Sequence, residues 1–134
     1  MTPQKIRYKV RVEDDRNSKP LPHEKATAEI LAKHFKSDVI FLRRAFCATP
    51  DIYVLKTNAR WELKSPLGGG KRTIQNNLRG ASRQSENIII DLSRSKLNAK
   101  QGISRVNEFL NSGPTKIKRL KIITKSKKII DIKG

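Results

Sequence analysis

Three consecutive isoleucines, Ile88 to Ile90, sit inside a short apolar segment, Asn87–Leu92, that reads as a β-strand between two helical stretches. The stretch before it, Lys71 to Gln84, places Ile74, Leu78, Ala81 and Ser85 on one stripe, with Arg72, Arg79 and Arg83 on the opposite side. The stretch after it, Ala99 to Asn111, turns Ala99, Ile103, Val106 and Leu110 inward, and Gly113 and Pro114 stop it. A further strand candidate, Arg60–Lys64, precedes the first of these helices. Strand, helix and strand in succession make a right-handed crossover, hence a parallel pair covered by helices. The chain is therefore expected to be α/β, a mixed sheet flanked by helices.

The remaining elements fit around that unit. Residues 1–22 form a basic arm or edge strand, in which Ile6, Tyr8, Val10 and Val12 alternate with Lys5, Arg7, Lys9 and Arg11. Residues 23–134 then read as one domain. A first helix runs from Pro22 to Phe35 with Ala28, Leu31 and Phe35 on one face, and Glu24 shares that face. An inward carboxylate there needs a reason, because an unpaired buried charge is costly. Either it caps the helix or it points into a metal site. Val39–Leu42, Asp51–Lys56 and Arg60–Lys64 are strands, the last two joined by a tight turn at Thr57, Asn58 and Ala59. Gly68 to Gly70 break the chain as a flexible loop before the second helix. Segments 116–124 and 127–132 close it as a hairpin around Lys125 and Ser126.

Charge narrows the partners. The chain has 134 residues with 30 Lys and Arg against 12 Asp and Glu, a net +18. A balance that positive favours a nucleic acid or an anionic membrane surface. No apolar run approaches the roughly 18 residues of a membrane span, and no signal peptide opens the sequence. The single cysteine, Cys47, excludes an internal disulfide or a cysteine-rich zinc cage, and His23 and His34 match no metal-ligand spacing. An oxygen-ligated site for a hard cation of the Mg²⁺ type stays open.

Asp51, Glu62 and Lys64 are the residues for such a site. Side chains alternate along a strand, so Glu62 and Lys64 face one way and Trp61 and Leu63 the other. A short hairpin brings Asp51 near Glu62, with Glu24 as a potential third carboxylate. Two or three carboxylates suit one or two hard cations, which polarise a phosphodiester and activate water. Lys64 then orients that water or neutralises charge growing on phosphorus. The competing reading is a surface Glu–Lys pair beside a turn-initiating Pro50 and Asp51.

Pro50 and Asp51, followed by Glu62, Leu63 and Lys64, resemble the PD-(D/E)xK nuclease signature. More narrowly, Glu24 to about Asp91 is similar to CdiA-type contact-dependent inhibition toxin C-terminal tRNA nuclease domains. The similarity lies in Glu24 to Ala28, Pro50 and Asp51, Trp61 to Ser65, Ala81 to Gln84, and Asn87 to Asp91. This resemblance implies a restriction-endonuclease-like fold, an α-β-β-β-α-β core with a C-terminal helix and β-hairpin. It implies Asp51 and Glu62 as metal carboxylates, Lys64 as the catalytic lysine, Glu24 as the acid from the first helix and Gln84 as a second-helix glutamine near the site; Ser65 is left open. The cofactor implied is Mg²⁺ or another divalent cation such as Mn²⁺. The partners implied are tRNA and an acidic immunity protein, with action in the bacterial cytoplasm after delivery from a secreted parent toxin.

Arg72, Arg79 and Arg83, with Lys71 and the glycine loop beside them, are candidates for phosphate contacts; the alternative is a solvated helix face. The glycines lack the spacing of a nucleotide-binding loop. Aromatic residues are only 5% of the chain and Trp61 is expected inward, so base stacking has few platforms. Shape and backbone recognition of a folded RNA or a duplex is favoured. A DNA endonuclease of the same fold, which an initiating Met1 in a free-standing chain would favour, and a non-catalytic nucleic-acid-binding domain are the alternatives.

Overall fold

The computed structural model describes residues 7–13, 19–42 and 50–134, and within them builds one seven-stranded mixed sheet with three helices. In chain order these are β1 (Val10–Val12), α1 (Pro22–Phe35), β2 (Val39–Phe41), β3 (Ile52–Val54), β4 (Ala59–Lys64), α2 (Thr73–Ser82), β5 (Asn87–Asp91), α3 (Ala99–Asn111), β6 (Arg119–Ile123) and β7 (Ile129–Lys133). The strands lie side by side in sequence order. β2, β3 and β4 form an antiparallel meander, β4, β5 and β6 run parallel, and β7 returns antiparallel. Both parallel steps are helical crossovers, through α2 and then α3, as the isoleucine strand between two helices requires.

Those isoleucines are all fully buried because the sheet is covered on both faces. Ile88 and Ile90 pack with Ile74, Leu78 and Ala81 of α2 and Val106 of α3. Ile89 points the other way, with Ala28, Leu31 and Ala32 of α1, Phe41, Ile52 and Trp61. Gly102 lets α3 close on the sheet: a Cβ there would lie 2.4 Å from Leu92 Cδ1.

Helices α1 and α3 span the expected residues. Pro22 opens α1 at a position where its missing N–H costs nothing. Asn98 and Gln101 cap α3 reciprocally, Gln101 N–H to Asn98 Oδ1 at 2.8 Å and Asn98 N–H to Gln101 Oε1 at 3.0 Å. The second helix is shorter than its hydrophobic period implies. Thr73 N–H bonds the Gly70 carbonyl in a preceding turn, while Arg83 and Gln84 form a tighter turn on the Gly80 and Ala81 carbonyls. β3 ends at Val54 rather than Lys56, since the turn begins at Leu55 and is closed by Asn58 at φ 52°. The glycine loop is strapped rather than loose: Lys96 N–H bonds the Leu67 carbonyl and Ser95 Oγ the Gly68 carbonyl.

From the N-terminal arm, Val10–Val12 pair in parallel with β2 as an edge strand, anchored by Lys9 N–H and the Arg11 guanidinium on Asp38. Ile6 of the alternating pattern, and the stretch after Leu42 that holds Cys47, lie outside the described residues.

Candidate active site

The β3–β4 pairing sets the site. Ile52 is opposite Trp61, so one further step of the register sets Asp51 opposite Glu62, on the same face of the sheet. Asp51 is held from two sides: its Oδ2 accepts the Leu63 N–H at 2.9 Å, and its carbonyl accepts the Leu42 N–H at 2.9 Å. Glu62 is on a central strand, between β3 and β5, and is only 2% exposed. Trp61 points into the core beneath α1, as expected, and offers no stacking surface.

Lys64, two residues along the same face, places its Nζ 3.6 Å from Glu62 Oε2. Glu62 Oε1 is buried and meets no donor. Burial pushes the Glu62 carboxyl up to about 8, and the charge and hydrogen-bonding reach of Asp51 push the same way; Lys64 offsets part of this. Two facing carboxylates with one donorless buried oxygen need a shared proton or a cation between them. The residues thus fit a hard divalent ion of the Mg²⁺ class, which takes oxygen ligands, commonly one or two carboxylates with the rest from water and substrate phosphate. Lys64 stands where it can carry charge on such a phosphate.

Glu24 lies elsewhere. Its Oε1 accepts the Leu21 N–H at 2.8 Å, the backward half of a capping box at the start of α1. Among the described residues no three His, Cys, Asp or Glu side chains converge on one point, so the acid of α1 is not gathered with Asp51 and Glu62. It does border the next space along β4: a cavity of about 260 Å³ lined by His23, Glu24, Thr27, Leu63, Lys64, Ser65 and Asn77. Lys64 is common to the carboxylate pair and the cavity. Asn77 and His23 carry no motif, and only the meeting of α1, the end of β4 and α2 brings them together.

Asp91 has a structural role that its sequence position hides. Its carboxylate accepts Thr27 Oγ1 from α1 and both the N–H and Oγ of Ser93, so this buried acid is satisfied and ties α1 to the end of β5.

Lys71, Arg72, Arg79 and Arg83 are all exposed. The three arginines follow one side of α2, Arg72 and Arg83 forming its two ends. The Lys71 carbonyl accepts from the Arg105 guanidinium. Gln84 lies past the C-terminal end of α2, roughly 10 Å along the helix axis from the Asn77 that shares a cavity with Lys64. There it lines a groove of about 700 Å³ with Arg83, Thr115, Lys116, Lys118 and Lys133, whose lining includes neither carboxylate of the pair.

A solved structure of a CdiA-CT/CdiI toxin and immunity complex from Burkholderia pseudomallei includes a chain that superposes with a TM-score of 0.64 at 16% identity, covering 92% of this chain and 99% of that one. At that identity the likeness is one of fold. No curated protein matches by sequence. The model of the contact-dependent growth inhibition CdiA C-terminal domain matches residues 48–129, a span that includes Asp51, Glu62 and Lys64. The chain belongs to this CdiA C-terminal domain family and is, with it, a contact-dependent inhibition toxin.

Proposed function

We propose that this toxin domain is a metal-dependent nuclease of the PD-(D/E)xK type that cuts RNA phosphodiesters, with tRNA as its substrate class. The observation that carries this reading is the buried Glu62 facing Asp51, its Oε1 without a donor, with Lys64 beside it. The order of α1, the β2–β4 meander, α2 and parallel β5 supports a restriction-endonuclease-like core. The net charge of +18 supports a polyanionic substrate.

Asp51 and Glu62 would hold Mg²⁺ or Mn²⁺, with Asp51 oriented by the Leu63 N–H. A hard cation bound there supplies Lewis-acid polarisation of the phosphate and lowers the pKa of an attacking water. Lys64 places a positive charge where negative charge develops on the phosphoryl oxygens, which is worth more in a partly desolvated site than in water. Burial of Glu62 between β3 and β5 excludes water from one side of the pair. Arg72, Arg79 and Arg83, with Lys71, grip phosphates on one flank, and Lys116, Lys118 and Lys133 beside Gln84 extend the basic surface.

The structural relative is held in a toxin and immunity complex. By that likeness we infer an acidic immunity protein for this chain too, drawn to it by charge complementarity. Release from a secreted parent toxin into the bacterial cytoplasm, where tRNA is found, completes the reading.

The test is incubation of the purified domain with total tRNA and, separately, plasmid DNA, with Mg²⁺ or with EDTA. Discrete tRNA fragments that require Mg²⁺ are expected, with Glu62→Gln and Asp51→Asn both inactive. Cut plasmid with intact tRNA would move the domain to the DNA endonucleases. Cleavage that persists in EDTA would overturn the metal assignment.

A further inference from the structure

The cavity beside Lys64 has the wrong chemistry for a second phosphate. One wall is the half-buried Glu24, whose Oε1 is taken up by the Leu21 N–H, leaving Oε2 as an acceptor. Another is Asn77, whose Nδ2 donates one of its two hydrogens to the Thr73 carbonyl at 2.7 Å, leaving its second N–H and its side-chain oxygen for a ligand. Thr27 Oγ1 is committed to Asp91. Lys64 and Ser65 supply donors on the remaining side, and His23 beside Glu24 completes the polar lining. A phosphate would meet like charge at Glu24. A hydroxyl fits, because it can donate to Glu24 or Asn77 and accept from Lys64 or Ser65 at once.

Position along the strand matters equally. Lys64 and Ser65 follow Glu62 by two and three residues, roughly 7–10 Å at the rise of a β-strand. A phosphate held at the carboxylate pair therefore brings a flanking sugar within reach of the cavity. Its volume of about 260 Å³ accommodates one sugar, not a base pair. We propose that Glu24 and Asn77 read the ribose 2′-hydroxyl of a nucleotide next to the cleaved phosphate, making this cavity the element that selects RNA over DNA. This rests on the nuclease reading for its place beside the scissile bond. The 2′-hydroxyl is the group that distinguishes the two polymers at a single site, being both donor and acceptor.

The experiment measures binding in EDTA, so it does not depend on cleavage. A labelled RNA hairpin with a tRNA-like stem is titrated with wild-type domain by fluorescence anisotropy, then reassayed with single 2′-deoxy substitutions along one strand. One position is expected at which the deoxy change weakens binding by on the order of tenfold, as for a hydrogen bond to a charged group. Glu24→Gln keeps an oxygen for the Leu21 N–H and preserves the cap, while losing the charge. In that variant, and in Asn77→Ala, the sensitivity at that position should fall to about twofold or less, with affinity for the matching DNA hairpin unchanged. Equal binding of every deoxy-substituted RNA by the wild type, or sensitivity undiminished in both variants, would overturn the proposal. The nuclease reading fails separately, by absence of Mg²⁺-dependent cleavage in a protein that still shows the 2′-hydroxyl preference.

Discussion

At the residue scale the chemistry turns on Glu62, because it is the one strongly perturbed carboxyl among the described residues. Its folded pKa of about 8 exceeds the ordinary carboxyl value of 4.5. The folded state therefore holds a proton that the unfolded state has released between those two values. Its contribution to stability is fully present below about 4.5 and is lost as pH rises through about 8. Urea titrations of the metal-free domain should accordingly show stability falling between pH 5 and 8, in a window set by that shift. Glu62→Gln, which puts an amide where the donorless oxygen lies, should flatten this dependence and be more stable than wild type at pH 8 by about 1–3 kcal/mol. A variant with the same pH dependence as wild type would show that the buried acid is not the titrating group. Lys64→Ala should leave the fold intact and slow single-turnover cleavage by roughly 10²–10³-fold, the range for removing one preorganised charge-stabilising group. Unchanged single-turnover rates would return Lys64 to the role of a surface partner for Glu62.

At the element scale, how well the sequence reveals the fold depends on which forces set each boundary. α1 and α3 were legible to the residue because local signals end them: Pro22 and the Glu24 cap at one, the Asn98–Gln101 box and Gly113 at the other. α2 carries a clear stripe, but no side chain caps its start, so backbone turns at Gly70 and Gly80 decide its ends. The hairpin put Asp51 near Glu62 on paper, but their direct opposition was not readable, because register follows the turn and the turn closes at Leu55–Asn58, earlier than expected. The cavity residues His23, Asn77 and Ser65 could not be grouped, since three elements far apart in sequence meet there only through tertiary packing. Glu24 shows the limit most clearly. Its inward helical face was readable, but whether it turned to a cap or to the pair depended on the height of α1 above β4. The closeness of α3 to β5 gives a direct check at this scale. Gly102→Ala drives a methyl into Leu92 and should destabilise the domain by about 1–3 kcal/mol in chemical denaturation, against little change for Gly113→Ala, where a Cβ meets nothing.

Across the whole molecule, the sheet divides labour between its two faces and its strand ends. The α1 face and the α2–α3 face each carry a packed core, and Glu62 sits on the central strand β4 with Asp51 facing it from just before β3, so the buried part of the domain holds the geometry of the pair. Basic side chains lie outside that frame, on α2 and on the groove beside β6 and β7. Affinity and chemistry should therefore separate by mutation. Arg72, Arg79 and Arg83 changed together to Ala should lower the slope of log affinity against log salt by about one per lost phosphate contact, while folding is unaffected. An unchanged slope would make them a solvated helix face.

The assignment of Asp51 and Glu62 as a cation site is tested most directly by calorimetric titration of Mn²⁺ into the purified domain at pH 8, alongside Asp51→Asn and Glu62→Gln. Saturable binding that both substitutions abolish, in variants that remain folded by circular dichroism, is the predicted result. Mn²⁺ binding of equal affinity in wild type and both variants would contradict it.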